Sequence, residues 1–364
     1  MRLSLSCKIG TVVAALALVA AVNAAAAAPP AHREAAGPVW RARYLMGTVC
    51  DAVAFATESL SDRDTASAIE RAFDEMARLE EVLSDYRETS ELSRLNRDAA
   101  QRHVPCSQDL YEFMTAAVSY SRMTNGAFDV TVAPLVRLWD LRGAGRAAGP
   151  LEVEETLRHV GASLIELHAE GRTIRFAREG VSIDPGALGK GFALDAAAAV
   201  LRRRGVRAAL LDFGGQVLAI GSPPGQPAWT VDIAHPVRRD EAALTIKVRD
   251  ASVSTSGNSE RVVMLDGTPV GHIVDPKTGM PLRTRGSVTV IAASGAEADA
   301  LSTALLVMGP HEGLRWSEAH PAMSAVFLDA DSSGGLMVRP TQNFEMNDSD
   351  GGPPADHHTD RGSR

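Results

Sequence analysis

The residues of this chain best suited to chemistry fall in four short stretches. Val181-Ser-Ile-Asp-Pro-Gly-Ala-Leu-Gly-Lys-Gly-Phe-Ala-Leu-Asp195 sets an acid, Asp184, at the end of an apolar run, followed by a glycine-rich turn and a helix start. Amides at such a turn can meet phosphate oxygens, and the positive end of the helix favours negative charge. Lys190 adds a point charge, and Asp184 can accept hydrogen bonds or face a cation. A plain strand–turn–helix connection with a surface lysine accounts for the same residues equally well. In Glu297-Ala-Asp-Ala-Leu-Ser-Thr303, Asp299 and Thr303 stand at i and i+4, so their oxygens share one helix face. A carboxylate beside a hydroxyl suits a hard cation such as magnesium, which keeps waters and takes ligand phosphates. The competing reading is an ordinary helix start with an acid near its positive end.

In the third stretch, His272-Ile-Val-Asp-Pro-Lys-Thr-Gly279, a strand runs into a turn built by Asp275, Pro276 and Gly279. A histidine beside that turn could act as a general base or contact phosphate, or could be a satisfied structural residue. The fourth, Thr124-Asn-Gly-Ala-Phe-Asp-Val-Thr-Val-Ala-Pro-Leu-Val136, follows an Asn-Gly turn with Phe128 and Asp129. Phe128 could stack on a ring system and Asp129 accept ring N–H groups; a core phenylalanine and a capping aspartate are the alternative. Other motif-like strings fail. The segment from Gly186 to Gly191 lacks the first glycine and the Ser/Thr of a phosphate-binding Walker loop, and no Cys/His set has zinc-like spacing.

These residues need elements to position them. Apolar periodicity predicts helices over 64–83, 110–123, 151–160, 191–204 and 297–308, the fourth stopping at Gly205. Strands are predicted at 46–56, Thr173–Phe176, 181–183, 208–213, Gln216–Ile220, 229–233, 244–248, Val262–Leu265 and 287–292. Helices and strands interleave without a steady βαβ alternation, so the class is α+β, or mixed α/β, and not a doubly wound parallel sheet.

The formal net charge of −8 argues against a nucleic-acid surface, which needs a basic stripe. Residues 1–28 read as a secretion signal: Arg2 and Lys8 precede an apolar run too short and alanine-rich for a membrane span, and small residues follow. Residues 29–39 form a proline-containing linker, 40–340 the folded domain, and 341–364 a polar tail expected to be disordered. Export would permit a disulfide between Cys50 and Cys106, and two buried thiols are the equal alternative.

Taken in order, the four stretches resemble the FAD:protein FMN transferase (ApbE-like) family. Met46-Gly-Thr48 and Ser84-Asp-Tyr86 with Ser90-Glu-Leu-Ser-Arg-Leu-Asn96 precede them, and Leu211-Asp-Phe-Gly-Gly215 and Ser254-Thr-Ser-Gly-Asn258 fall between them, all in the family's order, so the resemblance spans about 44–330. It implies an ApbE-like fold of mixed sheets and helices. It implies that Met46, Tyr86, Ala127, Phe128, Asp129, Asp184, Lys190 and Val274 line an FAD site. It further implies that Asp299, Thr303 and the backbone oxygen of Ala187 hold magnesium. The implied reaction moves FMN from FAD to a threonine hydroxyl of an acceptor flavoprotein and releases AMP, with His272, or alternatively Asp275, handling the proton. The implied setting is periplasmic, with membrane contact only through the acceptor. The family often has an aromatic residue where Ser259 stands here. Two rivals share the FAD contacts: a magnesium-dependent FAD pyrophosphatase, and a non-catalytic exported flavin-binding protein.

Overall fold

The computed structural model describes residues 37–258, 262–331 and 335–345. The expected leader, most of the linker, Ser259 and the tail beyond Glu345 lie outside the described residues. In chain order the elements are β1 (Val39–Leu45), β2 (Thr48–Ala54), α1 (Asp62–Leu83), α2 (Glu91–Asp98), β3 (Val104–Pro105), α3 (Gln108–Met123), α4 (Ala133–Leu138) and α5 (Pro150–Leu157). There follow β4 (Ile165–His168), β5 (Thr173–Phe176), α6 (Gly189–Arg203), β6 (Ala209–Phe213), β7 (Gln216–Ile220), β8 (Trp229–Ala234), β9 (Ala242–Val248) and β10 (Ser252–Gly257). The chain continues through β11 (Val262–Leu265), β12 (Thr268–Gly271), β13 (Gly286–Ala292), α7 (Gly295–Glu318), β14 (Ser324–Ala330) and β15 (Leu336–Pro340).

Eight strands form one antiparallel sheet in the order β1-β2-β6-β7-β10-β13-β14-β15. Helices α1 and α6 pack Ile69, Phe73, Met76, Leu194 and Leu201 against Leu211, Phe213 and Leu218 on one face. On the other, the β8–β9 hairpin covers Val217, Ala219, Val253 and Val326. Helix α7 lies between two layers. Ala298, Leu301 and Leu305 meet the sheet, whereas Ala296, Ala300 and Ala304 face a second core built from α2, α3 and the small β3-β5-β4 sheet. Alanines on that side let the layers approach closely, which is how a chain low in aromatic residues fills its interior. A satellite core joins α4 and α5 to the β11–β12 hairpin through Leu135, Trp139, Val153 and Val270. The architecture is α+β.

The helix starts are written in short polar residues. Ser61, Ser90, Ser107 and Ser294 each accept a backbone N–H from the first turn of α1, α2, α3 and α7. Helix α7 runs past the expected stop at Met308 because the chain kinks at Gly309-Pro310 and resumes.

Residues 181–183 are not a strand. Ile183 gives its N–H to Asn96 Oδ1 (2.8 Å), and its carbonyl accepts from Asn96 Nδ2 (3.1 Å), so one side chain replaces a strand partner. Val39, placed in the linker by sequence, already belongs to β1. At the other end Thr341 bonds Ala325 and Phe344 is buried in the core under β8–β9, so the folded chain runs past Pro340. Cys50 and Cys106 are free buried thiols in different cores, and burial raises both, Cys106 to about 11. Among the described residues no helix is long and apolar enough to cross a membrane.

Candidate active site

The site is built around the crossing of α6 and α7. Gly191 and Gly295 meet there so closely that a Cβ on Gly191 would lie 2.1 Å from the Gly295 carbonyl oxygen. The two helices then cap each other. Asp195, on α6, accepts the N–H groups of Gly295 (2.6 Å) and Ala296 (2.9 Å) at the start of α7. Asp299, on α7, accepts the Gly191 N–H (3.0 Å) at the start of α6. Each carboxylate thus sits at the positive end of the opposite helix. Gln216, buried just after the Gly214-Gly215 turn, ties the same point to the sheet by donating to the Gly295 carbonyl (2.8 Å). Burial pushes the Asp195 carboxyl above its ordinary range against the pull of its two amide donors.

From this crossing α7 directs Asp299 and Thr303 to the end of β10. Asp299 is only 4% exposed. The Thr303 hydroxyl lies 3.2 Å from Ser256 Oγ, which also meets Ser302 Oγ at 2.8 Å. Two residues on, Asn258 donates to the carbonyls of Leu282 and Thr284 and packs so tightly on Gly271 that no side chain fits there. Gly271 precedes His272, so β10 links the Asp299/Thr303 face to the histidine stretch. The turn at 275–279 consumes the Asp275 carboxylate, which accepts from Lys277 N (2.8 Å) and Thr278 Oγ1 (2.9 Å). The Asp275 carboxylate thereby holds the turn that follows His272.

The other side of the site is organised by ion pairs. Asp184 receives Gly186 N–H on one oxygen (2.9 Å) and Arg142 Nη2 on the other (2.8 Å), while its own N–H donates to Val130 (2.7 Å). Arg142 also pairs with Asp85 (2.6 Å) and lies 4.7 Å from the Tyr86 ring centre. Trp139, in the same loop, donates its indole N–H to the Gly279 carbonyl (2.7 Å). The histidine turn, the Asp184 turn and the Asp85-Tyr86 turn are therefore tied together.

Residues 46–327 match the ApbE family. This chain belongs to the ApbE family. It is 31% identical over 320 residues to a FAD:protein FMN transferase of Treponema pallidum (strain Nichols), covering 82% of this chain and 88% of that protein. A Vibrio cholerae protein of the same name is 31% identical over 259 residues, covering 70% and 78%. The crystal structure of the ApbE protein from Thermotoga maritima superposes with a TM-score of 0.73 at 30% identity, over 83% of this chain and 96% of that one. The flavin transferase ApbE from Vibrio cholerae gives 0.73 at 26% identity, over 85% and 98%.

Within this ApbE fold the expected site residues divide. Asp184, Lys190, Ala187, Asp299 and Thr303 gather at the start of α6 and the face of α7. Tyr86 stands out at 74% exposed. Met46 takes a left-handed backbone (φ 45°) at the β1–β2 turn, and its N–H donates to Glu80. Ala127 and Val274 are buried, so what they can offer a ligand is backbone. The readings of the Phe128 and Asp129 side chains are corrected. Phe128 is 1% exposed with its ring set edge-on to Tyr120 in the core, leaving no face for stacking. Asp129 spends its carboxylate on Thr131 N and Oγ1, Ser121 Oγ and Ala162 N.

The amide cradle expected at 186–191 is also largely spent. Gly186, Leu188, Gly189 and Gly191 donate to Asp184, Pro185, Pro185 and Asp299. Sequence reasoning missed Asp195, Asp85, Arg142 and Ser256. Asp195, Asp85 and Ser256 lie inside the motifs that carry the resemblance, and only their tertiary partners reveal their work.

Proposed function

We propose that this chain transfers FMN from FAD onto a threonine hydroxyl of an acceptor flavoprotein, with magnesium at the Asp299/Thr303 face and AMP as the second product. The reading is carried by one convergence: in a member of the ApbE family, a carboxylate and a hydroxyl one helical turn apart stand beside the Asp184–Lys190 turn. The donors fit the metal. Asp299, Thr303 and the Ala187 carbonyl are all hard oxygens, and among the described residues no cluster of three His, Cys, Asp or Glu forms a self-sufficient metal cage. One carboxylate with neutral oxygens leaves positions for water and pyrophosphate, the arrangement magnesium favours. When bound, the ion would neutralise pyrophosphate charge.

The protein's own part is mainly positioning and charge stabilisation. Lys190 sets a positive charge on the pyrophosphate, and Tyr86 offers an exposed ring to a flat group of FAD. The threonine oxygen bonds to the phosphorus on the FMN side. The bond from that phosphorus to the bridging oxygen breaks, and AMP leaves with that oxygen. His272 takes the hydroxyl proton. On the 1–28 leader we assign an exported, periplasmic location, which the N-terminal sequence of the mature protein tests.

The deciding assay mixes the purified protein, FAD, magnesium and an acceptor flavoprotein, and looks for an FMN mass addition to the acceptor. Free FMN and AMP without acceptor labelling would assign a pyrophosphatase instead. Asp299→Ala should abolish transfer while the protein keeps its circular dichroism spectrum. Undiminished magnesium-dependent transfer in that variant refutes the metal assignment.

A further inference from the structure

Arg142 lies in the loop after α4, outside every motif that carries the family resemblance, yet it joins two acids and an aromatic ring beside the site. Its Nη1 meets Asp85 at 2.6 Å and its Nη2 meets Asp184 at 2.8 Å. Its guanidinium lies over the Tyr86 ring, 4.7 Å from the centre. Both acids are largely shielded, with side chains 14% and 11% exposed, whereas Tyr86 projects into solvent. The loop bearing Arg142 is fixed at both ends. Trp139 is bonded to Gly279, and Gly145 packs on the β11 backbone, where a Cβ would lie 2.9 Å from the Met264 carbonyl oxygen.

We infer that Arg142 is a positioning residue that locks Asp85, Tyr86 and Asp184 into one preformed face for a flat heteroaromatic ring of the substrate. The inference rests on the reading of FAD as that substrate. A guanidinium suits the task because its two ion pairs lie in its plane while its face stacks on the aromatic ring. It backs one face of Tyr86 and leaves the rest of that exposed ring to meet a ligand. It also holds together two acids that otherwise repel: burial and the neighbouring Asp184 both push the Asp85 carboxyl up, and Arg142 pulls it down. Arg137 also attracts both acids electrostatically, but its hydrogen bond goes to Ser182, whereas Arg142 contacts both carboxylates directly. Removing Arg142 therefore takes the direct ion-pair partner from two mostly buried carboxylates beside the Tyr86 ring.

The test compares Arg142→Ala, Arg142→Lys and the double variant Arg142→Ala/Asp85→Asn. FAD binding is read from flavin fluorescence, KM and kcat from acceptor labelling, and folding from thermal melts. Arg142→Ala should weaken FAD binding and raise KM by about tenfold or more, with kcat changed far less. Arg142→Lys should fail to restore binding, because one ammonium cannot face both acids and stack as well. The double variant should recover part of the lost affinity, since it removes one of the unpaired acids. Titrations with FMN and with AMP show which flat ring uses the face: the fragment whose binding weakens in Arg142→Ala is the one seated there, and equal binding of both fragments to variant and wild type overturns the proposal. It is equally overturned by a loss confined to kcat or by wild-type affinity in Arg142→Lys; the latter decides even if Arg142→Ala fails to fold. Wild-type protein that binds no FAD would remove the functional reading itself, whereas equal binding by wild type and Arg142→Ala removes the positioning role alone.

Discussion

Replacing Asp195 by alanine strips the start of α7 of both acceptors it draws from α6. Gly295 and Ala296 are buried, and their N–H groups have bonds of 2.6 and 2.9 Å to this carboxylate. A buried donor left unsatisfied costs about 1–3 kcal/mol, which sets the gross loss at roughly 2–6 kcal/mol. Two effects reduce it. The carboxylate is itself disfavoured by burial, as its raised pKa shows, and Ser294 still caps Glu297 N–H. A net loss of about 2–3 kcal/mol follows, and an accompanying fall in Tm of roughly 3–5 °C for a domain of this size.

The consequence for the site is larger than the stability change suggests. Asp299 stands one turn into the same helix, so a frayed first turn displaces it without altering its chemistry. Asp195→Asn, which keeps one acceptor, should lose about 1 kcal/mol and still show weakened magnesium affinity. Urea unfolding together with magnesium titration of labelling activity checks both parts. A stability loss in Asp195→Ala below about 0.5 kcal/mol, the level of an ordinary surface change, would refute the argument that this acid holds the helix crossing.

Three further perturbations follow from the same geometry. Gly191→Ala puts a methyl group 2.1 Å from the Gly295 carbonyl oxygen and should cost about 3 kcal/mol or more, measured by denaturant unfolding; near-native stability would mean the helices can separate cheaply. Asn96→Leu removes both bonds to the Ile183 backbone and should cost about 2 kcal/mol while raising KM for FAD through the Asp184 turn that follows; an unchanged KM would disconnect the two. Glu297→Gln should stabilise the protein at neutral pH. Burial and the neighbouring Asp195 raise the Glu297 carboxyl above its ordinary 4.5, so the folded state binds more protons than the unfolded one between 4.5 and the raised value. The stability that protonation confers is fully present below 4.5 and lost as pH rises through the folded pKa. The advantage of glutamine should accordingly be greatest at pH 7 and fade on acidification, and an advantage that grows towards pH 4 would reverse the assigned sign.

Helices α1, α3, α5, α6 and α7 were legible through signals such as serine caps, an apolar face recurring every three to four residues, and a glycine at the end of α6, whereas the short α2 and α4 were not predicted. The long sheet was less so. Strand β10 reads Ser-Val-Ser-Thr-Ser-Gly, and its buried serines show no apolar alternation since they bond Ser302 of α7 and the Val217 carbonyl of β7. Residues 181–183 gave the opposite error, an apolar run that looks like a strand while its backbone is satisfied by a side chain 87 residues away. The same logic separates the readable from the unreadable parts of the site. Asp299 and Thr303 announced themselves by an i, i+4 spacing, which is local. Asp129 and Asp275 looked equally able to do chemistry, and what the sequence did not show was the set of nearby backbone and hydroxyl donors that fold onto each carboxylate. Asp195 and Arg142 act through partners more than forty residues distant in sequence, so no local pattern could rank them above their neighbours. Asp184, bonded to the Gly186 N–H and Arg142, and Asp299, bonded to the Gly191 N–H, stand at the α6–α7 site, whereas Asp129, Asp195 and Asp275 hold turns and helix starts. Loss of function with an intact fold is expected at the first two positions and loss of fold first at the others.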